Sequence, residues 1–531
     1  MAPPLGTISH CIVAGGRAEC PAGKSPAHDG FQFFAREPVV SRLFDNFLGH
    51  APKWYKVTVI LFLIVNPALL AIAGPFVTGW VLTLEFIFTL AMALSCYPLL
   101  PGGLLTLEAI AMGMATPENV MEELAGNFPV ILLLIFMVAS IYFMKDLLLY
   151  IFSNLIVKVR SKIILSLLFC FLGAFLSAFM DALTVTAVVI SAATGFYTVY
   201  ANTVSKAIAK EGGDEGPVET VFHRDLEEFR GFLRDLMMHA AVGTTLGGVC
   251  TLVGEPQNLL IGAKMNWHFG QFFWMMAPVT MPTVAAGFAT CALVEYFKIG
   301  GYGYKLPPSV LEILRDFADG EDAKRDGHEK LRLKVQAAAG VFLIIALAFH
   351  LAEVGLIGLA MIIFLTSMNG VNDEHRIGRA FTEALPFTCL LAVFFGVVAI
   401  IHHQNLFEPV VKWTLTKEGN AQLAAFFLAS GALSTVSDNV FVGTIYITEA
   451  ISAHKAGLIS KEQMDLVAVA INTGTNIPSI ATPNGQAAFL FLLTSSLAQL
   501  IRLSYMRMLI LALPYTITMS GTAMLAVFYL L

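Results

Sequence analysis

"FLSAFMDALTVTAVVI", residues 175–190, decides how this chain is read. It suits lipid everywhere except at Asp181, the only Asp, Glu, Lys or Arg between Lys162 and Lys206. An ionised carboxylate in apolar surroundings costs on the order of several kcal/mol unless it is paired or liganded. No basic residue lies near it in sequence. Asp181 is therefore protonated, bound to a cation, or each in turn. The plainer alternative is a protonated aspartate that hydrogen-bonds a helix end.

The rest of the chain agrees with a lipid setting. Of its 531 residues, 57% are hydrophobic and 13% charged, where a soluble domain carries about 25% charged residues. Mean hydropathy is +0.74. Residues 57–77 carry no charge and are long enough to cross a bilayer. Residues 82–100 (with Glu85 inside), 128–144, 271–294, 335–349, 354–368, 384–401 and 508–531 are similarly apolar, and 102–116 is read as a short further helix. A soluble core of this size would need far more charged surface. The chain is an all-α polytopic membrane protein on this reading. Lys and Arg number 32 against 38 Asp and Glu, with no nucleic-acid footprint. The seven cysteines show no metal-site spacing. No Walker sequence is present, so no nucleotide partner is expected. "HLAEVG" (350–355) lacks the second histidine of a zincin. No enzyme signature and no cofactor box are found, and a membrane-embedded enzyme is the remote non-transport alternative.

Residues 1–40 are expected to be a flexible tail, or to follow from a start codon placed too far upstream. Polar loops are expected at 202–235 and 298–334. Lys53 and Lys56, and then Lys145, Lys158, Arg160 and Lys162, mark cytoplasmic ends by the positive-inside rule. The region 402–420 falls on the opposite side.

Two pairs of segments repeat. "LSAFMDALTV" (176–185) resembles "LSTVSDNVFV" (433–442), with Asp181 matching Asp438, itself the only charged residue from Gly419 to Thr448. "GTTLGGVCTLVGEPQN" (243–258) can be laid beside "AINTGTNIPSIATPNG" (470–485), which aligns Pro256 with Pro483. The first pair reads as re-entrant helical hairpins, 163–200 and 421–450. The second reads as discontinuous helices, 236–263 and 465–498, because Pro256, Pro478 and Pro483 each interrupt the backbone ladder. Two halves, 41–300 and 335–531, joined by a cytoplasmic linker at 301–334, then form two inverted-topology repeats with a site at the midplane.

The quoted stretches, with "TLVGEPQNLLI" (251–261), "SDNVFVGTIYI" (437–447), "VAINTGTNIPSIATPNGQAAFLFLLTS" (469–495) and "FTLAMALSCYPLLPGGLLTLEA" (88–109), resemble the NhaB sodium/proton antiporter family of bacteria. The resemblance runs from about residue 41 to 531. It implies export of sodium or lithium driven by proton entry across the inner membrane, without a cofactor. Through a wider group that includes arsenite permeases and sodium-coupled dicarboxylate carriers, it implies a homodimer. A carrier of arsenite or of a dicarboxylate with the same fold is the runner-up.

Sodium is expected at the Asp181 and Asp438 sites. Hard oxygen ligands suit a small alkali cation, so Asn439, Ser177, Ser434 and Ser437 join the two acids as candidates. Asn258, Asn472, Asn476, Asn484, Thr473 and Thr482, in the broken helices, are ligands or partners of loose backbone groups. Thr244, Thr245 and Thr475 are their hydroxyl neighbours. Gly254, Gly474 and Gly485 serve geometry. Each hairpin tip is expected to face its own broken helix, near Asn258 for the first and near Asn476 or Asn484 for the second. Glu255 is either a third exchanging carboxylate or a vestibule residue. His239 is either a pH sensor or an interfacial histidine. Glu85 and Glu353 are helix contacts or ion-path residues.

Overall fold

Helices account for nearly all of the regular structure. The computed structural model describes residues 39–210, 217–406, 409, 413 and 416–531. Most of the expected tail therefore lies outside the described residues, as do parts of the 202–235 and 402–420 loops. Contacts divide the chain between Gly49 and His50. In the first unit the described part is the helix Val39–Asn46 and the turn after it. His50–Leu531 forms the second unit, and everything below concerns that unit.

Among its described residues, six helices are long and apolar enough to cross a membrane. The first, Lys53–Ala91, is broken at Gly74, whose φ of 81° favours glycine. A straight helix would set Asn66 and Glu85 about 28 Å apart. Instead Asn66 donates to Glu85 at 2.8 Å, so the run folds back on itself at Gly74. Asn66 also donates to Glu108 at 3.0 Å on the helix Leu99–Ala111. Glu85 and Glu108 thus share one amide, and Glu85 is a helix contact. The short helix expected at 102–116 runs instead over Leu99–Ala111, followed by Gly113 at φ 76°.

The expected 128–144 span is the second arm of a bent pair, Pro117–Gly126 and Phe128–Tyr142, that turns through 65°. The 202–235 loop is in large part helix. Helix Pro217–Gly248 begins inside it, because Phe229, Phe232, Leu233 and Leu236 recur at helical spacing and all are buried. Within the expected 298–334 loop, the helix Pro308–Lys324 forms and Gly327–Ala348 begins.

The quoted stretch forms a helix–turn–helix, Lys162–Ser177 and Ala182–Lys210, with Asp181 in the turn. Gly419–Ser434 and Asn439–Lys455 repeat it around Asp438. The first arm of each packs lengthwise on an interrupted helix. For the first, that is Pro217–Gly248 followed by Pro256–Met265. For the second, it is Lys461–Asn476, the 3-10 turn Pro478–Ala481, and Ala487–Thr494. One interruption ends at Pro256, and the other includes Pro478 and Pro483.

Candidate ion-binding cavity

Each hairpin turn exposes the amide nitrogens at the start of a helix, and an aspartate takes them. The Asp181 carboxylate accepts from the amides of Leu183 at 3.0 Å and Thr184 at 3.3 Å. Asp438 accepts from Val440 at 2.8 Å and Phe441 at 3.3 Å. These are N-caps, which satisfy otherwise orphaned donors. One oxygen of each acid, Oδ2 of Asp181 and Oδ1 of Asp438, meets the amides. The second oxygen of each is left clear of them.

The two turns match further. The first arms end at Ala178 (φ −68°, ψ −19°) and Thr435 (φ −68°, ψ −22°). The Ala178 carbonyl accepts from the hydroxyl of Thr251 at 2.6 Å, and the Thr435 carbonyl from that of Thr482. A Cβ on Gly254 would fall 2.7 Å from the Ser177 carbonyl oxygen, and one on Gly485 would fall 2.7 Å from that of Ser434. Only a residue without a side chain lets the backbones approach so closely. Gly474 has the same need, since a Cβ there would lie 2.3 Å from Ser430 Oγ.

These contacts correct the sequence register. Gly254 corresponds to Gly485 and Thr251 to Thr482, so Glu255 stands opposite Gln486 and Pro256 opposite Ala487. Pro483 is not the counterpart of Pro256. The sequence offered two prolines as partners for Pro256, and the packing against the hairpin selects neither, because Ala487 takes that place.

Both turns open on one cavity. Asp181, Ala182 and Leu183 line it from the first, and Asp438, Asn439 and Val440 from the second. Glu255, Pro256 and Gln257 come from the first interrupted helix, and Ala487 from the second. Phe387, on the long helix Glu374–His403, completes the lining. The space open to the centre of a water-sized sphere is about 10 Å³, enough for roughly one water or one bare small ion. A larger space of about 570 Å³ adjoins it, sharing Asp181, Leu183, Asp438, Phe387 and Ala487. Among the described residues, neither lining contains Lys, Arg or His. Glu255 Oε1 is buried and has no hydrogen-bond partner.

Each turn meets an interrupted helix through the Thr251 and Thr482 hydroxyls, and the two interrupted helices also meet each other. Asn258 donates to the carbonyls of Gly248 and Thr251, both at 2.7 Å, and closes its own break. Its side-chain oxygen accepts from Asn476 at 3.0 Å, and Asn476 accepts from Gln257 at 2.6 Å. Backbone groups freed by the two breaks are satisfied at one point, and that draws the halves together.

The other expected residues separate into groups. Ser434 donates to the Thr475 carbonyl at 2.6 Å and to Asn439 at 3.1 Å. Ser177 and Ser437 are buried, and their hydroxyl oxygens have no partner. Thr473 bonds back to its own helix at Val469. Thr244 and Thr475 do the same, each to the carbonyl three residues earlier. Asn472 turns to Met276, outside the cavity lining. Asn484 bonds the Ala91 carbonyl and lines the larger space. Pro478 starts a 3-10 turn, and Pro256 starts a helix. Sequence reading missed Gln257, Phe387 and Ala487 as lining. Gln257 sat inside the quoted "GEPQN" and could have been found; Phe387 and Ala487 carry no local signal.

His239 is not in the cavity lining. It is fully buried, with Nδ1 2.7 Å from the Tyr515 hydroxyl and Nε2 2.8 Å from Glu295. Glu295 also meets Lys162 Nζ at 3.0 Å and accepts from Ser166 at 2.7 Å. This polar knot ties the root of the first hairpin to the helices Phe269–Phe297 and Tyr505–Tyr529.

The family model for the bacterial Na+/H+ antiporter B (NhaB) matches residues 38–531. The chain belongs to the NhaB family. A NhaB relative from Klebsiella pneumoniae (strain 342) is 60% identical over 487 residues, covering 91% of this chain and 94% of its own. One from Pseudomonas aeruginosa (strain LESB58) is 60% identical over 493 residues, covering 92% and 99%. One from Shewanella pealeana is 59% identical over 491 residues, covering 92% and 93%. All three are named Na(+)/H(+) antiporter, so NhaB is a family of transporters rather than enzymes. Membership and the apolar helices together make this a multi-pass membrane protein. Among its described residues no three His, Cys, Asp or Glu are set to hold one metal ion.

Proposed function

We propose that the chain exchanges sodium or lithium for protons across the bacterial inner membrane, and that the two ions compete for Asp181 and Asp438. One observation carries this reading: both aspartates and Glu255 line a single small cavity with no fixed cation among its described lining residues. Negative charge there cannot stand uncompensated in a low dielectric. It is neutralised by protons or by a bound cation, and a carboxylate offers its oxygen to one or the other. Ser177 and Ser437, with Asn439, supply neutral oxygens. Asn258, Asn476, Thr482, Gly254 and Gly485 hold the shape. Exchange follows if the emptied, fully charged cavity cannot cross, and its desolvation cost opposes that step.

Two inverted-topology repeats, 41–300 and 335–531, with re-entrant hairpins and a linker at 301–334, account for the paired contacts of the two turns. A homodimer is proposed on family resemblance alone. His239 is better assigned to the buried knot than to pH sensing, because both ring nitrogens are already engaged. A dicarboxylate substrate would seek the amides at the hairpin turns, but two aspartates occupy them.

The test is proton movement in vesicles holding the purified full-length protein. Sodium or lithium should release protons, and potassium or arsenite should not. Asp181→Asn and Asp438→Asn should each lose the response. Normal sodium-driven proton movement in both variants would overturn the reading. Orientation is tested separately: in a variant without native cysteines, Ser205→Cys and Glu418→Cys should react with an impermeant thiol reagent from opposite sides.

A further inference from the structure

A second cavity, remote in composition from the first, is lined by cations. It encloses about 260 Å³ where the helices Phe128–Tyr142, Lys145–Lys158, Gly327–Ala348 and Glu374–His403 meet the turn after Val354–Met368. Lys145, Arg332, Arg376 and Arg379 face it, with Asp146 as the single carboxylate among the described lining residues. Four positive side chains less one negative leave a lining charge of +3. Arg332 lies 4.0 Å from Asp146, and both are well exposed, so this pair neutralises little. Among the described residues neither Arg376 nor Arg379 has a carboxylate partner within 4.0 Å.

The floor of the cavity is built. Gln336 is buried, accepts from the Leu147 amide at 2.8 Å, and points its nitrogen to Asp146 at 3.5 Å. It fastens Gly327–Ala348 to the start of Lys145–Lys158, the two helices that present Arg332 and Lys145. Like charges from separate helices repel one another, and Asp146 offsets only part of that cost. An anion would offset the rest.

The cavity also sits at a chemical boundary. Gly327–Ala348 is charged up to Lys334 and apolar beyond Gln336. Val354–Met368 is apolar to its end, and the turn that follows supplies Asn369 and Val371 to the lining. The same two helices expose Val341, Ile345, Ile363 and Met368. A basic pocket beside an exposed apolar face fits a ligand with a phosphate head and hydrocarbon tails. By the positive-inside rule, Lys145 and its neighbours mark the cytoplasmic leaflet, where anionic headgroups attract such clusters.

We propose that this pocket binds the phosphate of an acidic phospholipid headgroup, with Arg376 and Arg379 as its principal contacts. The site is independent of the ion cavity, so neither reading depends on the other. Native mass spectrometry of the purified full-length protein, titrated with phosphatidylglycerol, phosphatidylcholine or inorganic phosphate, tests it. Phosphatidylglycerol should be retained and phosphatidylcholine should not. Arg376→Gln/Arg379→Gln should bind phosphatidylglycerol about 30-fold more weakly, the effect of removing two charges near a membrane surface. Arg376→Lys/Arg379→Lys should keep most of the binding and shows that the fold tolerates change there. Equal retention by wild type and the glutamine variant overturns the site. Inorganic phosphate that displaces the lipid at matching concentration overturns the lipid as its ligand.

Discussion

Gln257 donates to Asn476 across 2.6 Å, joining two interrupted helices that lie 219 residues apart in the chain. Asn476 passes the contact on to Asn258, which closes the first break. The two aspartate turns are thus mounted on one shared amide cluster, and a change at either break is felt at both.

Gln257→Leu removes that donor and leaves the Asn476 oxygen buried without a partner. Such a loss costs about 1–3 kcal/mol. The thermal midpoint in detergent should fall, and the double variant Gln257→Leu/Asn476→Leu should lose less than the sum of the two singles. Strict additivity would mean that the contact carries no coupling.

Replacing either aspartate with asparagine should leave the fold intact, because asparagine caps a helix about as well as aspartate does. The charge alone is removed. In wild type, lowering pH adds protons to the shared carboxylates, so the apparent sodium constant must rise as pH falls. The limit is about tenfold per pH unit for each proton displaced. Sodium binding followed by calorimetry at several pH values checks this. A sodium constant flat from acid to alkaline pH would rule out competition. With three acids in one cavity, the titration belongs to the group and not to one residue.

Glu255→Gln makes the first half resemble the second, where Gln486 stands in the corresponding place. Gln486 is buried and donates to the Asn476 carbonyl and to Ser479, so an amide is sterically acceptable at such a position. The variant should fold normally and shift the pH profile of exchange. A profile identical to wild type would assign Glu255 to packing.

Gly254→Ala places a methyl 2.4 Å from Gly248 Cα and 2.7 Å from the Ser177 oxygen. Backbone atoms cannot yield as a side-chain tip can, so overpacking should cost about 1–3 kcal/mol and displace the Asp181 turn. Gly521→Ala is the control: nothing lies within 4 Å of its Cβ, and alanine favours the helix there by up to about 1 kcal/mol. Thermal midpoints of the two variants should move in opposite directions.

The sequence alone determined the membrane class, the two paired acids, and the interruptions at Pro256 and Pro478. Each rests on local chemistry: charge density, one carboxylate in an apolar run, or a missing amide proton. It misjudged the 202–235 loop, because polar residues on the outer face of Pro217–Gly248 hid a buried stripe. It also set Pro483 opposite Pro256, since a repeat of weak identity leaves its register open by a few residues. Only the tertiary structure decided that Gly254 answers to Gly485, by the approach of each to a serine carbonyl. Only the tertiary structure brought Asp181, Glu255 and Asp438 to one cavity and moved His239 into a separate knot with Glu295 and Lys162. Those facts depend on which helices cross and how closely. Crossing is set by contacts between residues hundreds of positions apart, and no local pattern records it.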